Sequence, residues 1–125
     1  METHNGIPAF HAKTEAEWRA WLMEHSATEK TVWLILYHKK SSTPSVSYNE
    51  AIEQALCFGW IDSKANKRDA ESYYLTFTPR KPKSNWSKPN HIRVAKMAEL
   101  GLIMPQGQAM IDLAKETGRW EPKAS

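Results

Sequence analysis

The sequence has one cysteine, five glycines, and no apolar run of the roughly 18 residues that a membrane-spanning helix needs. Cys57 has no partner for an internal disulfide, which favours a reducing, cytoplasmic setting. The opening METHNGIPAF lacks the basic start and apolar block of a secretory signal. CxxC, HxxxH and paired-carboxylate motifs are missing, and His4 and His11 stand alone, so no metal site is expected. There is no glycine-rich phosphate loop, so no cofactor is expected either. Internal repeats and low-complexity tracts are also lacking.

Aromatic residues and unevenly placed charge are what the chain does have. Six Trp in 125 residues need a core or a ligand to cover them. The net charge of +3 conceals a gradient. Residues 64–96 hold nine Lys/Arg against two Asp/Glu, a local +7, while the remainder holds eight against twelve. Such asymmetry points to an anionic partner or to a solvated lysine-rich face.

Residues 1–13 read as an extended arm. Thr14 and Glu17 form a capping box, and Trp18, Trp21, Leu22 and His25 line one face of the helix that follows. TVWLILYH (Thr31–His38) is apolar on both faces, the pattern of a central strand. Ser47 and Glu50 cap a second helix, whose buried stripe is Ala51, Ile52, Ala55 and Leu56 and which Gly59 ends. Trp60–Arg68 and Tyr73–Thr78 read as a hairpin. Period two puts Ile61, Ser63 and Ala65 on its packed face, and Trp60, Asp62, Lys64 and Arg68 on its open face. Ser87 caps a third helix running to about Leu100, and Pro105 opens a fourth, with the pairs Ala109/Leu113 and Met110/Ala114 one turn apart. The expected core includes Trp18, Leu22, Leu34, Leu36, Ile52, Leu56, Ile61, Phe77 and Leu113. The order α-β-α-β-β-α-α predicts one small α+β domain over 14–120, with a mainly antiparallel sheet packed by helices and a tail at 121–125.

No catalytic residue stands out. Cys57 lies at a helix C-terminus, where the dipole disfavours a thiolate. His91 has no acid spaced to orient it. The candidate ligand-binding residues are Trp60, Asp62 and Tyr74 on the hairpin's open face, and Arg80, Lys83, Asn85, Trp86 and Ser87 beyond it. Pro79 and Pro82 hold Arg80 and Lys81 extended beside the third helix's N-terminus, and helix N-termini with adjacent Arg/Lys attract anions.

ALCFGWID (Ala55–Asp62), FTPRKPKSNWS (Phe77–Ser87), GLIMPQGQAMIDLAK (Gly101–Lys115) and GRW (Gly118–Trp120) together resemble the YdeI/OmpD-associated, or bacteriocin-protection, family over about residues 8–120. That resemblance implies a small bacterial protein tied to tolerance of bacteriocins and cationic peptides. It carries no catalytic residues. The leading expectation is a non-enzymatic stress-tolerance protein binding a small anion or an acidic protein partner. One alternative is a nucleic-acid binder using the basic, aromatic segment 64–96. Another is a small enzyme with a site around Trp60, Asp62 and Arg80.

Overall fold

A computed structural model describes residues 2–121; Met1 and residues 122–125, most of the expected tail, lie outside the described residues. The elements are β1 (Thr3–His4), β2 (Ile7–Phe10), α1 (Glu15–His25), β3 (Val32–Tyr37), α2 (Tyr48–Cys57), β4 (Trp60–Lys67), β5 (Ser72–Pro79), α3 (Lys88–Glu99) and α4 (Pro105–Glu116). They build an α+β domain on one five-stranded sheet of order β1-β2-β3-β5-β4. Among the described residues only the β2–β3 pairing is parallel.

The caps form as their residue types demand. Thr14 accepts from the Glu17 N–H, while the Glu17 carboxylate accepts from Lys13 rather than from Thr14. Ser47 and Glu50 complete a reciprocal capping box, and Ser87 accepts from the Asn90 N–H. Gly59 and Gly101 take positive φ where α2 and α3 stop, a conformation with no Cβ penalty for glycine.

β3 is buried on both faces, flanked by β2 and β5. Val32, Leu34 and Leu36 join Trp18, Leu22, Ile52, Leu56, Phe77 and Met97 in a core under the helices. Trp33 and Ile35 point the other way and pack with Ala9 and Tyr74. In α4, Ile111 and Ala114 enter the core while Leu113 is half-buried, because the helix seats itself on Gly107 one turn before Ile111.

The faces of β4 reverse the period-two expectation. Trp60 is 2% exposed and packs under the helices, whereas Ile61 is half-buried and outside the core. Between Asp62 and Ala65 the register shifts, so Ser63 and Lys64 together oppose Thr76. Thr76 Oγ1 accepts from the Lys64 N–H at 2.8 Å and lies 2.9 Å from Ser63 Oγ, filling the bulge. The bulge breaks alternation only beyond Asp62. At Trp60–Asp62 the two-residue period holds, and the side is reversed because Trp60 rather than Ile61 faces the helices.

The arm is extended, and within residues 2–10 it is also paired into the sheet. Asn5 (φ 53°) and Gly6 (φ 76°) make the turn between β1 and β2, and the hairpin folds back over the helix-free face. His4 stacks on Tyr74 with ring centroids 4.1 Å apart. Glu2 receives two hydrogen bonds from Arg68, at 2.8 and 2.9 Å, and another from the Tyr74 hydroxyl.

The bonds from Arg68, then Tyr74, hold the Glu2 carboxyl down from the usual 4.5 to about 2. A lowered folded-state pKa stabilises above the unfolded value and loses that effect as pH falls through the folded value. Glu2→Gln should therefore melt below wild type at neutral pH, and the gap should close as pH falls from about 4.5 to about 2. Melting temperatures of the two proteins across that range check this; a gap that ignores pH contradicts the arm's docking.

Candidate anion-binding cleft

The segment after β5 turns sharply inward. Arg80 donates its backbone N–H to the Gly59 carbonyl at 2.8 Å, fastening the end of the hairpin to the end of α2. Its side chain is buried, 6% exposed, while Lys81 and Lys83 on either side of Pro82 are exposed. The guanidinium lies flat on Trp86, 3.7 Å from the ring centroid. Nη1 donates to Ser84 Oγ (2.5 Å) and to the Asn85 carbonyl (3.4 Å). Nε is buried with no acceptor. No carboxylate among the described residues lies within ion-pair distance. Burial pushes Arg80 down to about 10, against a smaller upward pull from Asp62. The group is still charged at neutral pH, and its charge is incompletely compensated.

In front of Ser84 opens a cleft of about 380 Å³ lined by Asp62, Ser63, Thr78, Lys81, Lys83 and Ser84, with Ile61 and Pro79. The strand ends supply its floor and the proline-braced loop its wall. Asp62 also receives a long 3.5 Å hydrogen bond from the Tyr48 hydroxyl.

The structure puts Asp62 and Lys83 in the lining of the cleft, while Arg80, Asn85 and Trp86 do not line it but pack behind Ser84. Two more of the expected residues, Trp60 and Tyr74, do not line the cleft, although Trp60 lines an adjoining pocket with Arg80. Trp60 is a core residue whose Nε1 donates to the Ser26 carbonyl at 3.2 Å. Tyr74 faces the opposite side of the sheet, under His4. The open face on which both were expected with Asp62 does not exist, because β4 presents Trp60 to the helices and β5 presents Tyr74 away from them. Ser87 is adjacent, but its hydroxyl is occupied as a cap. The N-terminus of α3 is also poorer in donors than expected. Pro89 has no N–H, and those of Asn90 and His91 are taken by Ser87, leaving Lys88 of the first four. Ser84 and Thr78 were not singled out from sequence; only their place after Arg80 and at the strand end signals them.

The expected nucleic-acid surface lacks exposed rings. Phe77, Tyr74 and Trp86 are buried and Tyr73 is half-buried, so bases have no aromatic platform there. Cys57 is fully buried, its thiol raised to about 11 by burial, and it donates to the Glu53 carbonyl.

The four motifs singled out in the sequence converge around Arg80. Gly59 receives its N–H, Gly107 rests against the Cys57 carbonyl, and Trp86 lies 5.2 Å from Trp120. His91 stacks on Trp120 at 4.3 Å, extending the row of rings.

A family model described as "Domain of unknown function (DUF8412)" matches residues 10–110. No curated protein and no solved structure matches the chain.

Proposed function

The chain belongs to the DUF8412 family, a domain of unknown function, and we propose that it is a non-enzymatic binding protein that holds a small anionic group beside Arg80. The anion is either free or carried on an acidic partner. One observation carries this reading: a buried guanidinium with an unpartnered Nε and no paired carboxylate. A buried donor left without an acceptor costs about 1–3 kcal/mol, and a charge costs more. An oxyanion meeting Nε and Nη2 together recovers that cost through two parallel charge-assisted bonds, a geometry lysine lacks. Lys81 and Lys83 at the cleft rim add long-range attraction. The Ser84 hydroxyl now occupies Nη1, so the loop 81–85 yields slightly as the anion enters.

The motif resemblance to the YdeI/OmpD-associated family supports a cellular role in tolerance of bacteriocins or cationic peptides, exercised in the cytoplasm. Among the described residues no helix is long and apolar enough to cross a membrane.

Inorganic phosphate should raise the melting temperature relative to chloride at matched ionic strength. Arg80→Gln should abolish most of that gain, whatever it does to the baseline. A ligand at about 100 times its Kd stabilises by about 2.7 kcal/mol, so the shift is readily measured. An equal gain in wild type and variant places the anion elsewhere. Tight binding of single-stranded nucleic acid with a steep salt dependence would instead favour the nucleic-acid reading.

A further inference from the structure

Two buried side-chain polar atoms among the described residues have no partner. One is Arg80 Nε; the other is Trp33 Nε1, on the opposite side of the sheet. Trp33 is 3% exposed and lines a groove of about 520 Å³ on the helix-free face. Register explains the lining. Trp33 pairs with Thr76 and Ile61 with Thr78, so Trp33, Thr76 and Thr78 share one face. The β4 bulge adds Ser63 and Lys64, and the β1–β2 turn adds Asn5 at the rim.

We infer that this groove is a binding site for a small neutral saccharide, whose ring oxygens accept from Trp33 Nε1. The chemistry of the lining selects that class. Thr31, Thr78 and Asn5 line the groove, and no other described residue bonds to their side chains. Hydroxyl and amide groups both give and take hydrogen bonds, as sugar hydroxyls do. Lys64 is the one cation among the lining residues, and none of them is a carboxylate. A multiply charged anion would meet too little positive charge here, and an apolar ligand would strand the polar groups. A peptide strand would pair at the exposed edge of β4 rather than lie on the face of the sheet. The groove shares Ser63 and Thr78 with the cleft beside Ser84, but Lys81, Lys83 and Arg80 do not line it.

The test is a titration of labelled protein with glucose, galactose, N-acetylglucosamine and maltose, following the indole N–H resonances. The Trp33 signal is identified by its loss in Trp33→Phe. Thr78→Val, a substitution on a half-buried strand position, keeps the fold testable if Trp33→Phe does not. At least one sugar should shift the Trp33 indole signal saturably, with affinity about tenfold weaker in Thr78→Val. Arg80→Gln should leave the response intact, which separates failure here from failure of the anion cleft. No shift with any of the four sugars, or an undiminished shift in Thr78→Val, overturns the inference. So does a response to phosphate alone.

Discussion

Gly107→Ala should lower stability by about 3 kcal/mol, the upper end of the overpacking range. Alanine is the better helix former by about 1 kcal/mol, so an exposed helical glycine would respond in the opposite direction. The difference is contact. A Cβ at position 107 would sit 2.3 Å from the Cys57 carbonyl oxygen, 2.6 Å from its carbon and 2.7 Å from the Leu56 oxygen. All three are backbone atoms, which have no rotamer into which to retreat. The same Cys57 carbonyl accepts from the Met104 N–H at 2.9 Å, so α4 cannot back away without losing that bond. Displacing α4 would draw Ile111 and Ala114 out of the core. The drop is read from the urea midpoint, or as a fall in melting temperature of roughly 10 °C. A midpoint at or above wild type would contradict this seating of α4 on α2.

Trp60→Ala should cost about 3–5 kcal/mol, the usual range for emptying a large aromatic from a core. The ring packs edge-on against Trp21, 5.8 Å between centroids, and its N–H satisfies the Ser26 carbonyl. Both the cavity and the orphaned carbonyl contribute. The folded fraction at low temperature should still respond to phosphate, because Trp60 is absent from the cleft rimmed by Lys81 and Lys83, although it lines an adjoining pocket together with Arg80. A stable variant that has lost its phosphate response would mean that Trp60 is a ligand residue after all.

These residues also show where sequence reasoning succeeds. Thr14, Ser47 and Ser87 cap helices through atoms three residues away, so their signals are local and readable. β3 is legible because burial on both faces leaves an unbroken apolar run. The faces of β4 are not, since alternation tells which residues share a side but not which side the helices cover, and the later bulge at Ser63–Lys64 is set by Thr76 on the neighbouring strand. The first hairpin had a local signal in Asn5-Gly6, a pair suited to a turn with positive φ at both positions. Its second strand, however, pairs in parallel with a distant segment, which no local pattern announces. Arg80 stood out as a candidate by composition, but its burial did not. Its neighbours Lys81 and Lys83 are of the same charge class and stay in water. Only the tertiary stack on Trp86 and the bond to Gly59 distinguish it.

The most direct test of the anion cleft is to follow the Arg80 Nε–H resonance by NMR while inorganic phosphate is titrated at constant ionic strength. The account predicts a saturable shift of that one signal, with smaller shifts at Ser84 and Lys83. An unmoved Arg80 Nε–H at phosphate concentrations that shift the surface lysines would contradict it.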